Sequence, residues 1–289
     1  MDEAIRKAEV LIEALGYIRT FRDRQSVIKL GGSAMEDAET LRATLLDVVF
    51  MATVGMRPLL VHGGGKAIDQ AMRVEGLQPR KVRGRRYTDE KTLAIVVRVL
   101  QTLNAGLVSQ IRALGGRVVG MTSDTLQCLF GERLVLPDEA GRSVDLGRVG
   151  GVTRVDQALL TDFCAAGVIP VIPSLALDAA GAWLNINADT AAAAVAANLR
   201  AEKLVILTDT PGILRNRGDK ASLLRNLDPE TCQELIAQGI IDEGMIPKVE
   251  ACLESLRAGV RQTHIVDGRL RHSLLLEIYT DHGVGTEIK

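Results

Sequence analysis

Closely spaced cysteines are absent from this 289-residue sequence. Its four cysteines, Cys128, Cys164, Cys232 and Cys252, are scattered and never form a Cys-x-x-Cys pair. Structural zinc sites and the disulfide frameworks of small secreted domains both depend on such spacings, so neither is predicted. We expect free thiols in a reducing compartment, which indicates a cytoplasmic protein.

An excess of charge and long apolar runs are absent too. The 35 Lys and Arg residues balance 36 Asp and Glu residues, for a formal net charge of −1. Nothing therefore draws the whole chain to nucleic acid or to an anionic membrane. No run approaches the roughly 18 apolar residues of a membrane span, and the charged N-terminus lacks the apolar region of a secretory signal. We expect no nucleic acid partner and no membrane attachment.

Two common nucleotide-binding patterns are missing around the glycine-rich stretch His62-Gly63-Gly64-Gly65-Lys66. A P-loop would place a glycine five residues before Gly65 and Ser or Thr after the lysine, but the chain has Leu60 and Ala67 there. A dinucleotide-binding turn would need a third glycine at position 68, which is Ile68. The sequence therefore excludes a P-loop here and argues against a hydride-transfer cofactor.

The same stretch nevertheless predicts an anion site. The apolar run 59–61 precedes it and the amphipathic run 67–74 follows it, as in a strand, a turn and a helix start. Glycines let backbone N–H groups approach a ligand, and a helix N-terminus favours negative charge. The alternative is a tight turn without a ligand.

A second glycine turn, Gly31-Gly32-Ser33, follows the predicted strand Ser26-Val27-Ile28-Lys29-Leu30. Lys29 stands out because a lysine in an otherwise apolar strand must have a partner or a function. The alternative is a charge on an edge strand, which would discourage aggregation.

Strand and helix patterns alternate along the chain. An apolar-periodic segment at 40–53 separates the strand at 26–30 from the strand at 57–61. This alternation predicts an α/β fold with a parallel sheet covered by helices. With 47% hydrophobic residues the chain can bury a large core, either as one domain or as two lobes.

Three further positions could carry chemistry. Asn187 can cap a helix at 188–199 and so places Asp189 in its first turn, where an acidic residue is often only a favourable charge. The polar turn 208–212 follows an apolar strand and suits either a nucleotide or a plain loop. Lys248 lies near a helix N-terminus, where the helix dipole disfavours a cation, so it indicates a bound anion unless the side chain is solvated.

Two longer segments each leave two interpretations open. The basic segment Arg80 to Arg86 is either a solvated turn or a place where one arginine grips a carboxylate with two hydrogen bonds. Residues 4–21 read as an amphipathic helix ahead of the first strand. This helix either packs on its own domain or docks on another subunit.

Taken together, six segments resemble the acetylglutamate kinases of the amino acid kinase family, in order and spacing over about 260 residues. They are Lys29-Leu30-Gly31-Gly32, His62-Gly63-Gly64-Gly65, Gly84-Arg85-Arg86-Tyr87-Thr88, Asn185-Ile186-Asn187-Ala188-Asp189, Thr208-Asp209-Thr210-Pro211-Gly212 and Gly244-Met245-Ile246-Pro247-Lys248. The resemblance implies an αβα sandwich with a mainly parallel central sheet. It also implies an oligomerisation helix at 1–22, an amino acid-binding lobe at 23–184 and an ATP-binding lobe at 185–289.

The resemblance further implies roles for single residues. Lys29 and Lys248 would stabilise the transferring phosphoryl group, and Asp189 would hold both lysines. A phosphoryl transition state spreads negative charge over its oxygens, so cations and N–H groups suit it. The other implied residues are Gly64, Gly65, Arg86 and Asn185 for the amino acid, and Gly32, Thr208, Asp209 and Gly212 for ATP.

The reaction implied is ATP-dependent phosphorylation of the side-chain carboxylate of N-acetyl-L-glutamate to an acyl phosphate, in arginine biosynthesis. The attacking carboxylate, with a pKa of about 4, is ionised at neutral pH, so no general base is needed. Mg²⁺ would be held mainly by phosphate oxygens and water, and no protein ligand to a metal is expected.

The sequence departs from the family near the amino acid. Ser123-Asp124-Thr125-Leu126 stands where these kinases usually have Gly-Lys-Asp-Gly, Arg83 replaces the usual Asp or Asn, and Tyr87 replaces a small aliphatic residue. One alternative is a kinase for aminoadipate or glutamate linked to an acidic carrier protein, with the segment Arg80 to Arg86 as the docking patch. Another is a non-catalytic sensor that binds amino acids, although intact Lys29, Asp189 and Lys248 argue against it.

The N-terminal helix adds an expectation about regulation. Its Tyr17-Ile18-Arg19 resembles the extension of family members that are arginine-inhibited hexamers, built as trimers of dimers. His264, Glu277 and Gly283 match the other positions of the family's arginine site. The resemblance therefore implies a homo-hexamer with L-arginine as its feedback inhibitor.

Overall fold

The structure is a computed structural model, and it describes residues 1–82, 84–122, 126–137, 143–280 and 283–289. Its helices are α1 (Asp2–Phe21), α2 (Ala38–Thr53), α3 (Gly65–Val74), α4 (Glu90–Ala113), α5 (Gln157–Ala165), α6 (Ala188–Leu199), α7 (Pro229–Ala237), α8 (Ile246–Arg257) and α9 (Ser273–Ile278). Its strands are β1 (Gln25–Leu30), β2 (Arg57–His62), β3 (Lys81–Val82), β4 (Arg85–Arg86), β5 (Val118–Gly120), β6 (Leu129–Arg133), β7 (Leu136–Pro137), β8 (Ser143–Val144), β9 (Val149–Val155), β10 (Ile169–Pro173), β11 (Leu175–Leu177), β12 (Trp183–Ile186), β13 (Lys203–Thr208), β14 (Asn226–Leu227), β15 (Gln262–Asp267) and β16 (Thr286–Ile288).

An eight-stranded sheet forms the centre of the described fold, in the order β14-β16-β15-β13-β1-β2-β10-β5. Its neighbouring strands pair in parallel, except for β15 and β16. Strand β1 lies between β2 and β13, with Lys29 opposite Val61 and Ile206. The predicted α/β fold with a mainly parallel sheet is confirmed. The alternative that Lys29 is an edge-strand charge is wrong, because β1 has a neighbour on each side.

Helices cover both faces of this sheet. Side chains of a strand alternate between its two faces, and Val27 of β1 packs in one core with residues of α6 and α8. The next residue, Ile28, packs in a second core with residues of α2 and α9. Burying one such side chain contributes about 1.5–3 kcal/mol, so both layers stabilise the sheet. The expected αβα sandwich is confirmed.

Strands β6, β9, β11 and β12 form a second, smaller assembly, a closed barrel that includes Asn185 on β12. The sequence pattern around Gly131-Glu132 predicts a hairpin turn, and this prediction is wrong. Both residues lie inside β6 and pair with β9. A side chain at Gly131 would collide with the backbone carbonyl of Gly151, so this glycine marks a close approach of two strands.

Side chains cap five of the nine helices in the described part of the chain. The Asn187 side chain accepts hydrogen bonds from the backbone N–H groups of Asp189 and Thr190 at 2.9 and 3.0 Å, which confirms it as the cap of α6. By residue type and position, Thr88 is a plausible cap for the long helix that follows it, but it does not cap that helix. Asp89 caps α4 instead, because its carboxylate accepts from the N–H of Thr92 at 2.8 Å.

Helix α4 is long and apolar enough, by length and composition, to cross a membrane. The sequence analysis did not anticipate a helix of this kind. In the fold α4 contacts β5, β10, β12, α2 and α3. It buries Thr92, Leu93, Ile95, Val96, Leu100, Asn104, Leu107 and Ile111.

Candidate active site

The two glycine turns meet at one edge of the central sheet. They follow β1 and β2, which are parallel neighbours, so both turns lie at the carboxyl ends of their strands. A Cβ atom on Gly31 would lie 2.6 Å from the carbonyl oxygen of Leu207, and one on Gly63 would lie 3.0 Å from the Cβ of Ala188. The approach of β13 therefore excludes a side chain at Gly31, and the approach of α6 leaves a tight fit at Gly63.

These turns line a cavity of about 300 Å³. Gly32, Gly64 and Gly65 all lie in its wall, and α3 begins at Gly65. The first N–H groups of a helix have no partner within it and carry partial positive charge. The cavity wall is therefore suited to an anion, as the glycine pattern predicts.

Lys29 and Lys248 converge on Asp189. The Lys29 Nζ lies 2.8 Å from Asp189 Oδ1, and the Lys248 Nζ lies 3.5 Å from Asp189 Oδ2. The Asp189 side chain is 8% exposed. Burial alone would raise its pKa, but the two ammonium groups outweigh burial and hold the pKa of Asp189 below its usual value. The carboxylate thus stays ionised and holds one ammonium group at each of its oxygens.

Lys248 connects this cluster to a second cavity, of about 440 Å³. The predicted nucleotide residues Thr208 and Asp209 line the second cavity together with Lys248. Its other lining residues are Thr210, Arg217, Asp242, Glu243, Gly244 and Met245. Asp189 lines the first cavity and Lys248 lines the second, so the ion pair between them joins the two cavities.

Two of the residues predicted for ATP do not line this second cavity. Gly32 lies in the wall of the first cavity, on the side of Lys29. Gly212 has a φ of +141° and packs so closely that a Cβ would lie 2.5 Å from the Thr286 hydroxyl. The structure therefore gives Gly212 a place in shaping the loop after β13, and the backbone there needs a glycine.

Arg86 and Asn185, predicted to bind the amino acid, both line the first cavity. The Arg86 guanidinium donates to the carboxylate of Asp69 and, at 3.1 Å, to the carbonyl of Gly65. These contacts fix a guanidinium that is only 8% exposed. A guanidinium has five N–H donors, so others remain for a ligand.

Two residues of this region escaped the sequence analysis. Asp69, which anchors Arg86, lies one helical turn after Gly65, and that spacing on α3 could have indicated it. Thr88 is fully buried, accepts a hydrogen bond from the amide nitrogen of Asn185 at 3.0 Å and donates one to the carbonyl of Arg86 at 2.8 Å. It thereby ties together both predicted substrate residues, a long-range contact that no sequence pattern shows.

The four residues predicted for arginine also come together, in a cavity that shares no lining residue with the first two. Tyr17, His264, Glu277 and Gly283 line a cavity of about 320 Å³. His264 Nδ1 lies 2.7 Å from Glu277 Oε1, while Glu277 Oε2 accepts from the N–H groups of Val284 and Gly285. Burial opposes its charge, but these hydrogen bonds hold the pKa of Glu277 below its usual value.

Some departures from the family pattern lie outside the described residues. They are Arg83 and the segment Ser123 to Thr125. Tyr87 is described, and its ring stacks under the guanidinium of Arg80 at 5.1 Å.

Comparisons with known proteins agree with this geometry. Residues 24–267 match the amino acid kinase family. The chain is 46% identical over 294 residues to the acetylglutamate kinase of Pelotomaculum thermopropionicum, covering 100% of both proteins. It is also 46% identical over 290 residues to the acetylglutamate kinase of Acaryochloris marina, covering 100% of this chain and 99% of the relative.

Comparison with solved structures identifies proteins with the same fold. The N-acetylglutamate synthase of Neisseria gonorrhoeae, complexed with coenzyme A and N-acetyl-glutamate, superposes on this chain with a TM-score of 0.87 at 28% identity. The match covers 97% of this chain and 63% of the synthase chain. Carbamate kinase from Giardia lamblia bound to AMP-PNP superposes at 0.64 with 16% identity, over 92% of this chain and 98% of the other, and shows the fold alone. With its family match and its full-length relatives, the chain belongs to the amino acid kinase family, among the acetylglutamate kinases.

Proposed function

We propose that this enzyme transfers the γ-phosphoryl group of ATP to the side-chain carboxylate of N-acetyl-L-glutamate, as a step of arginine biosynthesis. The observation that carries the proposal is the cluster of Lys29, Asp189 and Lys248 at the junction of two cavities. One cavity suits an amino acid and the other a nucleotide. The full-length acetylglutamate kinase relatives support the choice of substrate.

In the proposed reaction a carboxylate oxygen of the substrate bonds to the γ-phosphorus while the bond from that phosphorus to the β-γ bridging oxygen breaks. The electron pair of the broken bond leaves on ADP. Lys29 and Lys248 supply positive charge where the equatorial oxygens become more negative. Asp189 holds both ammonium groups and offsets their mutual repulsion. The attacking carboxylate is already ionised at neutral pH, so no proton has to be removed from it.

Mg²⁺ would neutralise charge on the phosphates during this transfer. Within the described part of the chain, no group of three or more His, Cys, Asp or Glu side chains could hold a metal ion. Asp189, the carboxylate at the cavity junction, is engaged by both lysines. These residues fit a Mg²⁺ ion that is carried mainly by phosphate oxygens and water.

We also propose that L-arginine inhibits the enzyme at the cavity of Tyr17, His264, Glu277 and Gly283. The ionised Glu277 is a partner for a guanidinium. The Neisseria gonorrhoeae synthase has also been solved with L-arginine, at a TM-score of 0.83 to this chain. Because α1 contributes Tyr17 to the cavity, movement of this helix would couple inhibition to assembly.

The proposed assembly is a homo-hexamer made as a trimer of dimers. Helix α1 packs Tyr17, Ile18 and Phe21 against the core next to α2 and α9. Its first half instead exposes Val10, Leu11 and Ile12, at 62%, 71% and 70%. An apolar surface of this kind indicates an interaction site, and a second α1 would cover it.

A cytoplasmic location is part of the proposal, consistent with four buried free cysteines.

An assay of ADP release with free N-acetylglutamate, glutamate and aminoadipate tests the substrate. We expect turnover with N-acetylglutamate and at least about tenfold less with the other two. A kinase for a carrier-linked amino acid would give negligible turnover with all three, and its carrier binding at the segment Arg80 to Arg86 would weaken with salt. A non-catalytic sensor would release no ADP while still binding an amino acid in calorimetry.

A further inference from the structure

We propose that His62 is a positioning residue for phosphoryl transfer. Its imidazole ring is neutral, carries its proton on Nδ1 and fixes the orientation of the peptide group between Gly63 and Gly64. This inference rests on the proposed function of the glycine turn. His62 is the last residue of β2 and is fully buried. No role follows from its position alone, so the contacts of its two ring nitrogens decide what it does.

Asn104 fixes the state of one ring nitrogen. Its amide nitrogen donates to the carbonyl of Val171 at 2.9 Å, which orients the amide, since a carbonyl only accepts. The same amide nitrogen lies 3.1 Å from His62 Nε2. Because an amide nitrogen is only a donor, His62 Nε2 must be the acceptor and carries no proton.

The other ring nitrogen is fixed by the glycine turn. His62 Nδ1 lies 3.1 Å from the carbonyl oxygen of Gly63. That oxygen can only accept, so Nδ1 carries the proton and donates it. Burial also lowers the pKa of His62 to about 4, which keeps the ring neutral at physiological pH.

The bond to Gly63 determines where the next N–H points. In a trans peptide the C=O and N–H groups point in opposite directions, and the described chain has no cis peptide. With the Gly63 carbonyl held toward the imidazole, the N–H of Gly64 is directed away from it. Gly63, Gly64 and Gly65 line the first cavity, so this N–H becomes a donor for the transferring phosphoryl group.

Packing makes the arrangement stiff. Gly63 lies against Ala188, the residue before Asp189, so closely that a Cβ on Gly63 would lie 3.0 Å from the Cβ of Ala188. The imidazole thus connects β2, α4 and β10 through Asn104 and Val171, while the turn that it orients touches the start of α6. His62 reaches no substrate itself, because its ring is enclosed on all sides. Its effect passes through the backbone of Gly63 and Gly64.

Two near-isosteric substitutions separate positioning from packing. The amide nitrogen of His62→Asn can take the place of Nδ1 and keep the donor to Gly63, whereas that of His62→Gln reaches the place of Nε2 and does not. We expect His62→Asn to keep most of kcat and His62→Gln to lose roughly 10- to 100-fold, with both substrate KM values within about twofold of the wild type. Equal kcat values in the two variants, or a greater loss in His62→Asn, would overturn the proposal.

A spectroscopic readout is independent of turnover. ¹⁵N-labelled histidine spectra of the full-length wild type, assigned with His62→Asn among the four histidines, should show the Nδ1–H tautomer of His62 at pH 7. An Nε2–H tautomer or a charged ring would overturn the inference. Absence of turnover in the wild type would instead contradict the proposed function, and the tautomer would still be decided by the spectrum.

Discussion

Two lysines that share one buried carboxylate are the residues on which catalysis depends in this account. Lys29→Ala or Lys248→Ala should lower kcat by two or more orders of magnitude, about 3 kcal/mol of transition-state stabilisation, with a smaller effect on substrate KM. Removing either cation leaves negative charge uncompensated at the junction of the cavities. Steady-state kinetics measures the effect, with Lys91→Ala on the exposed surface of α4 as the control. Unchanged kcat in both variants would contradict the proposed role.

Arg86 has a different predicted effect, since its proposed partner is the amino acid substrate and not the reacting phosphorus. Arg86→Lys should raise the KM for the amino acid about tenfold or more and change kcat less, because an ammonium group cannot reproduce a bidentate grip or keep both contacts to Asp69 and Gly65. Arg73→Lys, on the exposed surface of α3, is the matched control. A selective effect on the KM for ATP would argue that Arg86 belongs to the nucleotide site instead.

At the residue scale, the sequence reveals the groups that carry an unusual local signal. Lys29 stands out because it is a lysine in an apolar strand. The glycine turns at 31–32 and 63–65 stand out because consecutive glycines follow a strand. Asp69, Thr88 and His62 give no such signal, because an acidic residue on a helix, a threonine before a helix and a histidine at a strand end are all ordinary. What makes them part of the site is contact across the fold, as between Thr88 and Asn185. Only the tertiary structure supplies those contacts.

At the scale of elements, α2 and α9 are joined by a buried pair. Asp47 of α2 is 1% exposed, and its Oδ1 lies 2.6 Å from Nδ1 of His272, the residue before α9. Burial raises the pKa of Asp47 to about 6, against the opposing effect of His272. A carboxyl whose pKa is raised by folding binds its proton more tightly in the folded state. Its contribution to stability is therefore complete below about pH 4 and is lost as the pH rises through about 6.

Asp47→Asn should remove this dependence. Between pH 4 and 6 the wild type should lose roughly 2 kcal/mol of unfolding free energy relative to the variant, since one titrating proton changes it by at most about 1.36 kcal/mol per pH unit. Urea unfolding at several pH values measures the difference, with Asp162→Asn on the exposed surface of α5 as the control. A constant difference across this range would show that Asp47 does not titrate there.

The sequence predicts elements well where one pattern dominates. The apolar strands of the central sheet and the cap of α6 follow from period and capping chemistry alone. The barrel strands are harder to find, because glycines inside β6 and β9 look like turn residues although they allow two strands to approach closely. Capping of α4 is ambiguous for a similar reason. Thr88 and Asp89 are both good caps, and only the contact of Thr88 with Asn185 separates them.

At the scale of the whole molecule, one sheet passes through both predicted lobes. Strand β1 of the predicted amino acid-binding lobe pairs directly with β13 of the predicted ATP-binding lobe, and Lys29 and Thr208 lie near the carboxyl ends of these two strands. The three parts at 1–22, 23–184 and 185–289 remain a prediction. A shared sheet explains how one lysine from each lobe can reach the same carboxylate.

The N-terminal helix is the part of the molecule that we expect to control assembly. Deleting residues 1–22 should leave an active dimer that L-arginine no longer inhibits, because the deletion removes the exposed apolar surface of α1 and also removes Tyr17 from the cavity of His264, Glu277 and Gly283. Light scattering gives the assembly state, and a kinase assay titrated with arginine gives the response. A full-length protein that scatters as a dimer, or a deletion that keeps its arginine response, would refute the regulatory proposal and leave the catalytic one standing.

Trapping of the acyl phosphate with hydroxylamine is the most direct test of the central claim that this enzyme phosphorylates a carboxylate. Hydroxylamine displaces phosphate from an acyl phosphate and leaves a hydroxamate, which can be counted against the ADP formed. We expect equimolar hydroxamate and ADP when wild-type enzyme receives ATP and N-acetylglutamate. In Lys29→Ala both should fall by two or more orders of magnitude, about 3 kcal/mol. ADP release without hydroxamate, or hydroxamate formation that Lys29→Ala leaves unchanged, would contradict phosphorylation of a carboxylate at this site.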